Sequence, residues 1–157
     1  MAEISAKAVA ELRKQTGCGM MDCKNALKDA NGDFEAAVKI LREKGMAATA
    51  KKASRIAAEG LVDIMTIDNV TAIVEVNSET DFVAKNDTFK AFVANLLHII
   101  ITEKPADVAA LLAATYEGET TVEAQLKQMI FTIGENMSIR RFDIIEGDLV
   151  SYIHGKG

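Results

Sequence analysis

Cysteines, histidines and a short run of carboxylates are the residues of this sequence whose types could support chemistry. Cys18 and Cys23 lie five positions apart in the segment GCGMMDC. That spacing alone is a weak signal for metal binding, because a zinc site needs further ligands. The two histidines, His98 and His154, are far from the cysteines in the sequence. We therefore predict no metal site and expect two reduced thiols packed near the start of a helix.

The acidic residues Glu75, Glu79 and Asp81 could form a carboxylate group, but no nucleophile or histidine stands near them in the sequence. Charges at the end of a strand are usually hydrated, so solvation is the favoured interpretation. The sequence also lacks a phosphate-binding loop, a dinucleotide-binding glycine pattern, H-E-x-x-H and G-x-S-x-G. These observations argue against an enzyme and predict no cofactor. An active site assembled from distant residues stays open as a third hypothesis.

Two segments place apolar side chains where binding could use them. Met20 and Met21 follow directly after a glycine turn, and thioether side chains adapt to irregular partner surfaces. Phe82 lies in the polar segment TDFVAKNDT, although the chain has only six Phe, two Tyr and no Trp. Two interpretations stay open for each segment. The side chains either fill the core or cover the end of a sheet, or they form an exposed anchor that enters a partner's pocket.

The composition fits a globular chain whose elements can position these residues. Of 157 residues, 49% are hydrophobic, which supplies a packed core. The net charge of −5 argues mildly against nucleic-acid binding, which favours a basic face. No stretch approaches the length of about 18 apolar residues that a membrane span needs. The first residues resemble neither a signal peptide nor a transit peptide, so we expect a cytoplasmic protein.

The segment 1–55 predicts three short helices and a helical or extended linker at 46–55. In the second helix, Met20, Cys23 and Leu27 recur at spacings of three and four, as helical residues do. Polar caps and glycines are expected to begin and end the helices: Ser5, Gly17, Gly19, Asn31, Gly32, Asp33 and Gly45, the last closing the third helix.

From residue 56 the pattern changes to that of a mixed unit. The segment 60–79 predicts two strands joined by the turn Asp68-Asn69. The remaining elements are expected to be a helix at 85–101, a helix at 106–115 opened by Pro105, a helix capped by Thr121, and strand-like alternation through 137–155. The sequence therefore predicts an α+β fold. Its domains would be a bundle at 1–55 and, at 56–157, a small antiparallel sheet packed on helices.

Four segments carry a resemblance to a known family. TGCGMMDCKNAL at 16–27 is similar to the T-G-x-G-M-M-D-C-K-x-A-L signature of the bacterial elongation factor Ts family, and EVNSETDFVAKND at 75–87 to its E-V-N-x-x-T-D-F-V-A-[KR] stretch. IGENMSIRR at 133–141 and SYIHG at 151–155 match two further family segments in the same order. The resemblance covers nearly the whole chain. Typical members continue past S-Y-x-H-G, so we expect this sequence to lack the C-terminal part of the usual core.

The resemblance implies a guanine nucleotide exchange factor whose partner is the GTPase elongation factor Tu. It implies a ubiquitin-associated-like bundle that docks, with its Met20-Met21 region, on the nucleotide-binding domain of the GTPase. It also implies that the ring of Phe82 is displayed and wedges between helices of the GTPase near its Mg²⁺ site. The partner-binding residues that the resemblance implies are Met20, Met21, Thr80, Asp81, Phe82, Val83, Ile133, Gly134 and His154.

The resemblance implies no bound nucleotide, metal, nucleic acid or membrane for the chain itself. In the family, the portion beyond this sequence contacts another domain of the GTPase and, in short members, supports dimerisation. A homodimer or a 2:2 complex is therefore not the expected state here. The alternative hypothesis, from a different functional class, is a protein-binding adaptor that uses the bundle 1–55 without exchange activity.

Overall fold

The computed structural model describes residues 4–155 and divides the chain into two compact units. One unit contains the residues up to Ala53 together with Lys127–Gly134, and the other contains Ser54–Leu126 together with the residues from Glu135 onward. Helices and a small antiparallel sheet make the fold α+β, as predicted. No helix in the described range is both long enough and apolar enough to cross a membrane.

The described residues form seven helices and five strands. The helices are α1 (Ala6–Thr16), α2 (Met20–Asp29), α3 (Phe34–Lys52), α4 (Asp81–Ala84), α5 (Asp87–Glu103), α6 (Val108–Ala113) and α7 (Val122–Ile133). The strands are β1 (Glu59–Ile67), β2 (Val70–Ser78), β3 (Thr115–Glu117), β4 (Thr120–Thr121) and β5 (Met137–Glu146). The short hairpin of β3 and β4 was not predicted.

The helices of the first unit begin at the polar caps that the sequence predicts. The Ser5 hydroxyl accepts the Ala8 N–H at 3.1 Å, and the Asp33 carboxylate accepts the Ala36 N–H at 3.0 Å. Each bond satisfies an amide that the first helical turn leaves without a backbone partner. Gly17 ends α1 with a φ of 70°, a left-handed conformation that costs glycine little.

Small and aliphatic side chains form the buried core of this unit: Val9, Leu12, Cys18, Cys23, Ala26, Leu27, Ala37 and Leu41. Met20 does not belong to the core, because its side chain is 57% exposed, so of the two interpretations the one in which it fills the core is wrong. Cys18, in the connection before α2, is 1% exposed and fills the core there instead. The first two residues of α2, Met20 and Met21, therefore lie outside the buried cluster.

The third helix does not end at Gly45, contrary to the prediction, but continues to Lys52. A Cβ at Gly45 would lie 3.2 Å from Gln128 Oε1 and 3.5 Å from Phe131 Cβ, both in the C-terminal part of α7. The glycine therefore permits close packing of a second helix. A glycine inside a helical pattern does not by itself distinguish a packing site from a helix end.

The second unit is built on a three-stranded antiparallel sheet in the order β1-β2-β5. Asp68 and Asn69 join β1 to β2 with φ values of 49° and 62°, which confirms the predicted two-residue turn. Helix α5 packs against β1 and β2. The apolar stripe predicted for α5 is buried throughout: Phe89, Phe92, Val93, Leu96, Leu97 and Ile100.

Two boundaries in this unit differ from the prediction. Helix α6 begins only after Asp107, whose carboxylate accepts the Ala110 N–H at 2.8 Å, so Pro105 lies before the helix instead of in its first turn. Strand β5 ends at Glu146, and residues 149–155 form no strand. Their alternating pattern has no neighbouring strand with which to pair in the described structure, and pairing is what makes an alternating segment a strand.

Candidate functional site

Phe82 lies on the one-turn helix α4, and its side chain is 82% exposed. The two residues that follow it, Val83 and Ala84, are buried. Successive residues of a helix are rotated by about 100° around its axis. The turn therefore anchors itself through Val83 and Ala84 while it presents the ring of Phe82 outward. The interpretation of Phe82 as a hydrophobic cover over the end of the sheet is wrong.

Thr80 begins α4 and is held by a residue far away in the sequence. Its hydroxyl oxygen accepts the Val83 N–H at 3.5 Å, as an N-cap does. Its backbone N–H donates to Glu135 Oε1 at 3.0 Å, and its hydroxyl donates to Glu135 Oε2 at 2.7 Å. One carboxylate thus engages both donors of the residue that caps the helix of Phe82.

A second carboxylate, that of Glu79, joins the same two segments in the opposite sense, because it accepts from the backbone next to Glu135. Glu79 Oε1 accepts the Asn136 N–H at 2.7 Å and lies 3.5 Å from Arg55 Nη1. Asn136 Nδ2 donates to the Arg55 carbonyl at 2.8 Å. Residues 79–80 and 135–136 therefore exchange carboxylate–amide hydrogen bonds, an arrangement we call the reciprocal pair. The side chain of Glu79 is only 23% exposed, so the interpretation that it is simply hydrated is wrong.

Glu75 is also well connected. Its Oε1 accepts from Arg141 Nε at 2.9 Å, and its Oε2 accepts from Asn77 Nδ2 at 3.1 Å and lies 3.8 Å from Arg140 Nη1. The hydrogen bond from Asn77, followed by the hydrogen bond and charge of Arg141 and the charge of Arg140, holds the pKa of the Glu75 carboxyl below its ordinary value. With its side chain 15% exposed, Glu75 is a structural carboxylate and is not simply hydrated.

Asp81 differs from the other two acidic residues of this region. Its carboxylate is 57% exposed and lies 3.6 Å from Lys85 Nζ, one turn later. Glu75, Glu79 and Asp81 thus have different partners. Among residues 4–155, no group of three or more His, Cys, Asp or Glu side chains could hold a metal ion.

The first unit carries two more of the predicted site residues on the first turn of α2. Met20 is 57% exposed and Met21 is 63% exposed, so both thioethers are available to a partner. The two cysteines are buried free thiols, as predicted. Burial raises the pKa of the Cys18 thiol, whose sulfur also accepts from Gln128 Nε2 at 3.2 Å. A buried, protonated thiol is a poor nucleophile, so this thiol serves packing.

The remaining predicted residues lie at three further positions. Ile133 ends α7 and Gly134 follows it with a φ of 90°, both half-buried, in the first unit. His154 is exposed in the second unit, and its Nδ1 lies 3.2 Å from the Tyr152 hydroxyl. The structure groups Thr80, Asp81, Phe82 and Val83 on one turn, with Val83 buried as its support.

Sequence reasoning missed the residues that hold this turn. Glu135 and Asn136 lie in the quoted segment IGENMSIRR, but only Ile133 and Gly134 of that segment were assigned a role. Glu135 meets Thr80 across 55 positions of the chain. A bond of that range leaves no periodic or spacing signal. The shared membership of both residues in ordered motifs was the only hint.

Comparison with known proteins agrees with the four motifs. The sequence model of a family described as Elongation factor TS matches residues 79–157. Curated proteins named elongation factor Ts match 98% of this chain: one from Rhodospirillum rubrum is 53% identical over 159 residues, and one from Rhizorhabdus wittichii is 54% identical over 157. One from Clostridium perfringens is 51% identical over 159 residues.

The chain spans about half the length of the curated relatives it matches, because the aligned region is 51% of the first two proteins and 52% of the third. The family model matches the C-terminal half of the present sequence, residues 79–157. It includes the TDFV turn, the IGEN segment and the reciprocal pair that joins them. This chain belongs to the elongation factor Ts family.

Proposed function

We propose that this chain is a guanine nucleotide exchange factor that binds the GTPase elongation factor Tu and promotes GDP release in translation elongation. The observation that carries the proposal is the ring of Phe82, 82% exposed on a turn whose base is fixed by the reciprocal pair. The names of the curated relatives, at identities above 50%, support the assignment to translation elongation.

The exposed ring has the energetics of a binding anchor. Transferring a phenylalanine side chain from water to an apolar pocket gains about 1.5–3 kcal/mol. Its helix is already formed and hydrogen-bonded at its base. Less conformational entropy is therefore lost on binding than if the turn had to fold at the interface. A pre-formed, protruding aromatic residue is typical of the hot spots that dominate protein interfaces.

The proposed mechanism acts through the metal site of the GTPase. A GTPase holds GDP with a phosphate-binding loop and Mg²⁺, and Mg²⁺ demands near-ideal octahedral coordination. A ring that wedges between helices beside that site shifts its ligands, which weakens both metal and phosphate contacts. Coupling of this kind is reciprocal, so nucleotide weakens binding of the factor by the same ratio. Incoming GTP then displaces the factor.

The other predicted residues have supporting positions in this proposal. The bundle, which we propose is ubiquitin-associated-like, would dock on the nucleotide-binding domain of the GTPase through Met20 and Met21. Ile133 with Gly134, and separately His154, would contact the same domain. We propose the division at 1–55 and 56–157 as the domain organisation along the sequence, with Lys127–Gly134 packing into the bundle unit. Under this mechanism the chain needs no nucleotide, metal or cofactor of its own.

The test is release of fluorescent GDP from elongation factor Tu, with the chain compared with its Phe82→Ala variant. We expect the parent to accelerate GDP release. The acceleration by the variant should be about 30-fold smaller, which corresponds to a hot spot of about 2 kcal/mol. Ile56→Ala is the matched control, because Ile56 is 83% exposed and has no proposed role. It should retain the rate of the parent.

Two results would change the assignment. Equal rates for the parent and Phe82→Ala would contradict the role of the ring. A folded parent that binds the GTPase without accelerating release would favour the binding adaptor, and Met20→Ala would then weaken binding where Phe82→Ala would not. Phe82→Ala should change the free energy of unfolding by less than about 0.5 kcal/mol, because the ring is exposed; a loss of about 3–5 kcal/mol would mean a buried ring.

A further inference from the structure

We infer that Glu135 is a positioning residue that holds Thr80 and thereby fixes the direction in which α4 presents Phe82 to the GTPase. The inference rests on the proposed function, because it assigns to Glu135 a role in that same contact. Glu135 does not need to touch the partner for this role. It acts on the ring through Thr80, to which it is bound by two hydrogen bonds at 3.0 and 2.7 Å.

The chemistry of the carboxylate determines how Thr80 is used. A carboxylate accepts hydrogen bonds and does not donate them. The hydroxyl hydrogen of Thr80 must therefore point to Glu135 Oε2, which leaves lone pairs of that oxygen for the Val83 N–H. The same carboxylate occupies the Thr80 N–H through its other oxygen. Glu135 thus sets both the backbone and the side-chain orientation of the cap.

Helix α4 needs such support because it is only four residues long. A single helical turn fixes several dihedral angles for very few hydrogen bonds and is unstable by itself. Its two closing backbone bonds run from the Ala84 N–H to the Thr80 carbonyl at 3.4 Å and from the Lys85 N–H to the Asp81 carbonyl at 3.1 Å. Both bonds depend on the placement of residues 80–81, directly beside the contact with Glu135.

The neighbouring half of the reciprocal pair holds Glu135 in turn. The Asn136 N–H donates to Glu79 at 2.7 Å, which fixes the backbone next to Glu135. The Ser78 hydroxyl donates to the Thr80 carbonyl at 2.9 Å, which attaches the cap to the end of β2. Removal of the Glu135 carboxylate should therefore loosen α4 selectively and leave the segment around Asn136 in place.

The first experiment measures amide hydrogen exchange and does not depend on activity. In Glu135→Ala we expect exchange at Ala84 and Lys85 to rise by at least about tenfold, since both charge-assisted hydrogen bonds to Thr80 are lost. Exchange at Lys90, in α5, should not change. Unchanged protection at Ala84 and Lys85 would contradict the inference, and an equal rise at all three amides would show a general loss of stability instead.

The second experiment measures GDP release from elongation factor Tu with four proteins: the parent, Glu135→Ala, Phe82→Ala and the double variant. We expect Glu135→Ala to lower the acceleration about tenfold in the parent and to have no further effect in Phe82→Ala. Glu135→Gln, which keeps one accepting oxygen, should restore part of the rate. Ile56→Ala is again the control, because Ile56 is 83% exposed and has no proposed role, and it should retain the rate of the parent.

The outcomes separate this inference from the proposed function. Additive losses in the double variant, or full activity of Glu135→Ala beside an inactive Phe82→Ala, would overturn the role of Glu135 and leave the exchange function standing. An inactive parent would overturn the exchange function and, with it, the role of Glu135 in exchange. The hydrogen-exchange result would still decide whether Glu135 orders α4.

Discussion

Glu75 lies on the central strand at the point where the register between β2 and β5 shifts by one residue. A bulge of this kind puts an extra residue into one strand and redirects its side chains. Here it brings both Arg140 and Arg141 to one carboxylate, at 3.8 and 2.9 Å. With Asn77 as a further donor, the charge of Glu75 is stabilised in a half-buried position.

We predict that Glu75→Gln lowers stability in a pH-dependent way. Because the folded-state pKa of Glu75 lies below its ordinary value of 4.5, the ionised carboxylate stabilises the fold above that pH. The contribution is lost as the pH falls through the lowered folded value. Urea unfolding should show a cost of about 1 kcal/mol at neutral pH and a smaller difference from the parent in acid. The same cost at both pH values would contradict the role of the charge.

At the scale of elements, the turn between β1 and β2 shows how a local sequence fixes a strand register. Asp68 and Asn69 both adopt positive φ, and Ile67 pairs with Val70 directly across the turn. Asparagine and aspartate tolerate this conformation better than most residues, but glycine has no Cβ penalty. Both turn residues are exposed, so their substitution changes the backbone preference with little effect on packing.

Substitution of Asn69 should therefore raise or lower the free energy of unfolding according to how well the new residue tolerates positive φ. We expect Asn69→Gly to raise the free energy of unfolding by about 0.5 kcal/mol, and Asn69→Val to lower it by about 1–2 kcal/mol, because a β-branched residue is strained at positive φ. Denaturant unfolding of the three proteins measures this order. A valine variant as stable as the parent would contradict the observed turn.

The two edge strands of the sheet share a second local device. Asp63 Oδ1 accepts the Ile64 N–H at 2.9 Å in β1, and Asp143 Oδ1 accepts the Ile144 N–H at 2.8 Å in β5. Amides alternate in direction along an antiparallel strand. The pair Ile67–Val70 and the bond from the Gly147 N–H to the Asn69 carbonyl fix this alternation in β1 and β5. The Ile64 and Ile144 amides therefore point away from β2. An occupied amide in the middle of each edge opposes pairing with another chain.

At the scale of the whole molecule, the bundle unit is not continuous in sequence. It takes in Lys127–Gly134 from the C-terminal part of α7 as well as the residues up to Ala53. Phe131 packs against the buried core of the bundle, and Gly45 leaves room for its approach. The stability of α3 should therefore depend on Phe131, which follows Gly45 by 86 positions in the chain.

We predict that Phe131→Ala destabilises the bundle by about 2 kcal/mol, less than for a fully buried phenylalanine because the ring is only partly buried. Amide exchange in α3 around Gly45 should rise accordingly. Phe142→Ala is the matched control, since Phe142 is also half-buried but lies on β5. It should raise exchange in the sheet and leave α3 unchanged. Unchanged exchange in α3 of Phe131→Ala would contradict the composition of this unit.

The sequence by itself determined the features that depend on near neighbours along the chain. The caps at Ser5 and Asp33 and the turn at Asp68-Asn69 appear where the residue types predict them. The buried stripe of α5 follows from helical periodicity. The same is true of the motifs that predict the family, including the TDFV turn, because each is a contiguous stretch. All of these rest on hydrogen bonds or side-chain spacing within a few residues.

Only the tertiary structure decided which side chains face inward and what holds the turn of Phe82. Met20 has helical spacing to Cys23 yet lies exposed, whereas Cys18, in the connection before α2, is buried in the core. The sequence indicates a helix end at Gly45, but in the structure the glycine makes room for Phe131, which lies beside it. Glu135 reaches Thr80 from 55 positions away. Contacts of this range depend on how the helices and strands pack against one another. Neither residue type nor local spacing in the sequence indicates that packing.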